Sequence, residues 1–174
     1  MEENKSELLN YTMYAGLFMG LFWVLKYLFV IIGSSYPVLN FIGTLLSIGT
    51  PVLLFYYLVM YNTGVAENKM RYWHGVQFSI MLFFFASILE SLIVFIHVKW
   101  IDPAFISNLY GRMIEMAESM EITKSLVTQL TEQSIPTPFT YIFNSVIMAD
   151  VFWGLILSLI IVPIAVRYKP KQNI

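Results

Sequence analysis

The sequence contains no cysteine. Disulfides, thiolate nucleophiles and Cys-based metal sites are therefore excluded. Charge is scarce as well. Asp, Glu, Lys and Arg make up 12% of the chain, against roughly 25% in soluble domains. The formal net charge is −1, so no whole-chain field draws a nucleic acid. The only histidines, His74 and His97, lie at opposite ends of one apolar stretch and cannot share a metal. No HExxH, P-loop, GxGxxG or GxSxG pattern occurs, and nothing calls for a cofactor. A basic leader is lacking too. The opening MEENKSELLN sets one lysine against three glutamates, and no A-x-A site follows, so the first apolar run is read as a retained span.

Apolar and aromatic residues fill the chain instead: 58% of it is apolar, with 14 Phe, 11 Tyr and 4 Trp. Four long apolar runs cover about residues 11–34, 37–62, 75–98 and 138–166. Each meets the roughly 20 residues needed to cross a ~30 Å hydrocarbon core. The expected fold is an all-α membrane protein: one domain over residues 1–174, built as a four-transmembrane-helix bundle. Spans one and two are joined by so few residues that they must be antiparallel neighbours.

Lysine and arginine set the expected orientation. With the N-terminus in the cytoplasm, the inner segments hold Lys5, Lys69, Arg71, Arg167, Lys169 and Lys171. The outer ones hold Lys99, Arg112 and Lys124, spread through a long loop. The positive-inside rule then puts both termini in the cytoplasm. Tyr56, Tyr57, Tyr61, Tyr72 and Trp73 form the expected inner aromatic belt, with Trp100 at the outer one. The outer segment, 100–137, reads as an amphipathic helical element. Asp102 and Pro103 supply an N-cap and a first helical residue. Ile106, Leu109, Tyr110, Met113, Ala117 and Met120 recur at helical spacing, so Met113 and Met120 are expected to be buried. A second short helix is expected over residues 123–132.

Lys26, Glu90 and Asp150 fall deep inside three different spans. Each costs about 2.5–3.5 kcal/mol at mid-bilayer without a partner or water. Counting from the span ends puts them roughly 12, 10 and 16 Å below the outer boundary. They are expected to share one layer as a buried charge cluster, with Lys26 touching Glu90. One cation cannot satisfy two carboxylates, so the pair of acids should titrate together. A structural ion pair that fixes helix register and a proton or cation relay are both consistent with this pattern. His97, two turns beyond Glu90, is the candidate relay neighbour. Small and polar residues surround the cluster. Gly16 and Gly20 form a GxxxG. Asp150, Gly154 and Ser158 step by four. Ser79, Ala86, Ser87, Glu90 and His97 share one stripe, and Asn40, Thr44, Ser47 and Pro51 another. Such residues let helices approach closely in lipid. Pro51 should kink span two by freeing the carbonyl of Ser47.

The N-terminal hairpin, the WHGVQF start of span three, the WIDPAF that follows it, the acidic amphipathic outer segment and the basic tail RYKPK together resemble domain-of-unknown-function family 4199. The resemblance implies a small inner-membrane protein of Bacteroidota with its outer segment in the periplasm. It implies no activity, cofactor or catalytic residue. The functional expectation is a non-enzymatic interaction or accessory subunit, whose partners are the lipid bilayer and a second copy or another membrane protein. The alternative is a small proton- or cation-coupled transporter using Lys26, Glu90 and Asp150. A third reading is a membrane enzyme acting on lipid.

Overall fold

The computed structural model describes residues 2–33, 36–119 and 135–168. The helix expected over 123–132, and Met120, lie outside them. The described residues form helices and no strand: α1 (Glu2–Gly33), α2 (Pro37–Leu46), α3 (Gly49–Gly64), α4 (Tyr72–Ile96), α5 (Phe105–Ser119), α6 (Pro138–Ile142) and α7 (Ala149–Arg167). A π-helical turn, His97–Ile101, extends α4, and a π-helical stretch, Phe143–Met148, joins α6 to α7.

Four apolar spans result: Ser6–Gly33, Phe41–Gly64, Tyr72–Ile101 and Pro138–Arg167, of 24 to 30 residues. At about 1.5 Å per residue they are about 36–45 Å long, enough to cross a ~30 Å core with tilt. Their outward faces are apolar, with Phe18, Phe41, Val52, Leu92, Phe152 and Trp153 all exposed. Water does not tolerate that much contiguous apolar surface, whereas lipid solvates it. The protein is a multi-pass membrane protein.

Span 1 (α1) packs along span 3 (α4), span 3 on span 4 (α6–α7), the α3 half of span 2 on span 4, and the α2 half of span 2 on span 1. The ring order is thus 1-3-4-2, and spans 1 and 3, which cross in the same direction, are parallel neighbours. Glycines set the closest approaches. A Cβ added at Gly16 would lie 2.5 Å from Phe85 Cβ, and one at Gly20 would lie 2.8 Å from the Ala86 carbonyl. The GxxxG face is therefore occupied inside the chain, against span 3. Between spans 3 and 4 the same device recurs: Gly154 meets Phe83, and Gly75 meets Val162.

Span 2 is broken rather than bent. Helical hydrogen bonding gives way at Ser47–Ile48 to short-range bonds, Ser47 N–H to Thr44 O, Ile48 N–H to Leu45 O and Thr50 N–H to Ser47 O. Pro51, in the first turn of α3, is the cause. It cannot donate to the Ser47 carbonyl, and its ring crowds that carbonyl. Thr50 takes over as donor. Thr44 and Ser47 are exposed, so these two polar residues face away from the bundle.

Two apolar cores stack along the bundle. One fills the half carrying Lys69, Arg71 and Arg167, around Met19, Trp23, Leu54, Leu58, Phe78, Leu82 and Phe83. The other lies toward α5 and joins Val94, Val98, Ile106, Ile142 and Val146. Asp102 Oδ1 accepts from Ala104 N–H at 3.1 Å and starts α5. Ile106 and Ala117 are the buried residues of that helix. Met113, expected inside, is 48% exposed, because α5 docks on the mouth through its first turn and leaves its middle uncovered. Tyr61 also departs from expectation. It is a core residue, 1% exposed, not part of the belt, whereas Trp73 and Trp100 are exposed. Its ring meets Tyr11 edge-on at 5.2 Å, and its hydroxyl bonds His74 Nε2 at 2.9 Å.

Candidate functional site

The register of spans 3 and 4 decides what meets at mid-bundle. Gly75 opposes Val162 and Phe83 opposes Gly154, an antiparallel alignment that one further turn carries to Ser87 and Asp150. Glu90 lies one turn beyond Ser87 on the same face, so the two acids come to neighbouring levels of the interface between spans 3 and 4. Glu90 is 8% exposed. Asp150 Oδ2 is buried and has no donor. The two observations fit together. Ionised carboxylates only accept hydrogen bonds, so two of them side by side leave an acceptor orphaned. A single proton on either carboxyl supplies the missing donor. Like charges this close in a low dielectric are not both retained.

Lys26 does not close the ion pair expected with Glu90. Among the described residues the ion pair within 4.0 Å is Lys69–Glu67, which is solvent-exposed. There each partner favours the charged form of the other: hydrogen bonding to Lys69 lowers the Glu67 pKa, and hydrogen bonding to Glu67 raises that of Lys69. Lys26 instead turns to the Trp23 ring. The reason is the parallel register of spans 1 and 3. Gly16 and Gly20 face Phe85 and Leu89, so Lys26 sits about one turn beyond the level of Glu90. Its side chain slants back toward the helix N-terminus, as helical side chains do. The amine comes to rest over the Trp23 ring, 5.5 Å from its centroid. That geometry holds a desolvated cation on a π-face while leaving its field on the two acids.

Trp23 is the structural floor of the site. It is 2% exposed, stands edge-on to Phe83 at 5.1 Å and donates its indole N–H to Thr50 Oγ1 at 3.1 Å. Thr50 is in place because span 2 breaks just before it. All four spans thus contribute: Trp23 and Lys26, Thr50, Glu90, and Asp150.

On the α5 side of the acids lies a second pair. The Tyr27 hydroxyl is 2.8 Å from His97 Nδ1. Tyr27 and Tyr141 pack against the same apolar cluster, and the Asp102 N–H bonds the His97 carbonyl at 2.8 Å. Phe105 covers the His97 ring at 4.8 Å. His97 opens the π-helical turn that ends span 3, and the other π-helical stretch ends one residue before Ala149 and Asp150. Such widened turns re-aim side chains and concentrate at functional sites. On the opposite side of the acids four buried hydroxyls are spent locally. Thr12, Ser79, Ser87 and Ser158 each donate to a carbonyl of their own helix.

The sequence reading singled out Lys26, Glu90, Asp150 and His97 but missed Trp23, Thr50 and Tyr27. Tyr27 carried a usable signal: it is the residue next to Lys26, and a tyrosine hydroxyl deep in a span needs a partner. Gly16, Gly20 and Gly154 hold spans together, and Pro51 positions Thr50. No curated protein and no solved structure matches this chain. A family match does run over residues 14–165, most of the chain, and the protein belongs to the family described as "Protein of unknown function (DUF4199)".

Proposed function

We propose that this protein is a non-enzymatic, proton-binding accessory component of a bacterial inner membrane, with both termini in the cytoplasm. The observation that carries the reading is the buried Asp150 Oδ2 without a donor, set beside the buried Glu90 in the interface between spans 3 and 4. A carboxyl pair that needs one proton to be satisfied is a site that binds and releases one proton. The core around Trp23, Leu54, Phe78, Leu82 and Phe83 is fully buried and stands between the acids and the basic end. This favours a proton-binding subunit over an open conduit. The Lys and Arg distribution supports the orientation, and the family resemblance supports the bacterial inner membrane and a Bacteroidota source.

Infrared difference spectra of the reconstituted protein test this. A protonated-carboxyl band should appear as the pH is lowered and vanish in both Glu90→Gln and Asp150→Asn. Wild-type spectra indistinguishable from those of Glu90→Gln would overturn the reading.

A second reading, a proton-coupled transporter, is favoured by one observation. The Tyr61–His74 pair near the basic end mirrors Tyr27–His97 near the other. Opening of the core between them would join two half-paths. Sustained acidification of liposomes carrying the wild type, abolished by Glu90→Gln, would select the transporter.

A further inference from the structure

We propose that Tyr27 and His97 form the proton inlet of the Glu90–Asp150 pair, opening only at the α5 end of the bundle. This rests on the proton-binding reading above and adds the route and its sidedness. The chain of groups is continuous in direction. Asp102, just before α5, donates its backbone N–H to the His97 carbonyl at 2.8 Å. His97 Nδ1 bonds the Tyr27 hydroxyl at 2.8 Å, and the buried Glu90 lies seven residues, two turns, before the buried His97 on span 3. Every element around the inlet contributes a titratable group: Lys26 from span 1, Glu90 and His97 from span 3, Tyr141 and Asp150 from span 4, and Asp102 with Tyr110 from the α5 segment.

The step balances with one proton in and one out. It starts from the tautomer in which Nδ1–H donates to Tyr27 Oη. His97 Nε2 accepts a proton from water at the mouth. Nδ1 then gives its proton to Oη, while the Tyr27 O–H gives its own, across water, to the carboxyl pair. His97 is left with its proton on Nε2, and Tyr27 has its hydroxyl restored. Rotation of that hydroxyl and exchange of the imidazole tautomer through mouth water reset the pair. Tyrosine and histidine suit this task because each both donates and accepts.

Sidedness follows from the other half of the bundle. Thr12, Ser79, Ser87 and Ser158 donate to their own helices, and Met19, Phe78, Leu82 and Phe83 are at most 2% exposed. No comparable donor–acceptor chain leads from the acids to the basic end among the described residues.

The test is a pH jump on the reconstituted full chain, with the protonated-carboxyl infrared band followed in time. Tyr27→Phe keeps the ring against His97 and removes only the hydroxyl. It should leave the equilibrium band in place and slow its appearance about 100-fold. His97→Ala should do the same, and added imidazole should restore its rate but not that of Tyr27→Phe. A merely structural role for His97 predicts no such rescue. Wild-type rates in Tyr27→Phe, with the band intact, would overturn the inlet and leave the carboxyl-pair reading standing. Absence of the band from the wild type would instead defeat the carboxyl-pair reading itself. Should His97→Ala fail to fold, Tyr27→Phe decides alone.

Discussion

The Tyr27 hydroxyl and His97 Nδ1, 70 positions apart in sequence, are 2.8 Å apart in space. This bond ties span 1 to the widened end of span 3. It lies between the carboxyl pair and the mouth that α5 covers. The apolar core on that side includes Val94 and Val98, so the bond crosses a layer in which an unpaired hydroxyl or imidazole would be costly.

Orientation is checked most directly at Ser107, an exposed residue of α5. The chain has no cysteine, so Ser107→Cys gives a single label site. In intact cells it should react with a membrane-impermeant maleimide. Reaction only after permeabilisation would invert the proposed topology.

Interhelical glycines should be intolerant of even a methyl group where the neighbour is backbone. Gly20→Ala sets its Cβ 2.8 Å from the Ala86 carbonyl and should cost about 1–3 kcal/mol. Gly154→Ala sets its Cβ 2.7 Å from Phe83 Cγ and 2.9 Å from Phe83 Cβ and should cost a similar amount. Gly111→Ala is the control. It has nothing within 4 Å and should stabilise α5 by up to about 1 kcal/mol. Thermal unfolding in one detergent ranks the four proteins, and equal losses at Gly20 and Gly111 would refute the assigned span 1–span 3 contact.

Thr50 should matter through its oxygen. Thr50→Val is nearly isosteric but leaves the Trp23 N–H without an acceptor in the core, at about 1–3 kcal/mol. Thr50→Ser keeps the acceptor and should lose much less. Indistinguishable midpoints for Val and Ser would show that the hydrogen bond does not contribute.

Removing Lys26 should be worse than removing it together with an acid. Lys26→Met loses the contact with Trp23 and the positive field on the carboxyl pair, a loss of about 3 kcal/mol. Lys26→Met with Glu90→Gln should recover most of that, because the negative charge left without compensation is also gone. A double variant no more stable than the single one would mean that Lys26 acts by shape alone.

The number, extent and apolar character of the spans were legible because lipid imposes one simple demand, a long uncharged helix, on each of them. So was the α5 helix with its Asp102 cap. The break in span 2 was half legible. Pro51 announces that the Ser47 carbonyl loses its donor, but not that the chain answers with Thr50 N–H and thereby delivers Thr50 to Trp23. Depth counting put Lys26, Glu90 and Asp150 in one layer but picked the wrong contact, Lys26 with Glu90. Contact depends on azimuth and on the parallel register of spans 1 and 3, which glycine contacts with Phe85 and Leu89 set. The π-helical turns left no sequence signal at all, since one extra residue in a turn is invisible to apolar periodicity. Tyr61 was misplaced because a tyrosine near a span end reads the same whether its ring faces lipid or His74.

The pairing of span 1 with span 3 has a consequence in time. A ribosome delivers Lys26 to the membrane before Glu90 has been made, and span 2 must cross in the opposite direction between them. During that interval the lysine has neither acid within reach, and the hairpin of spans 1 and 2 must persist with an ammonium group held only by its own helix and by Trp23. Assembly therefore cannot be completed by neighbours in order of synthesis. The first span waits, and the charge that later belongs to the site is what the waiting hairpin has to shelter.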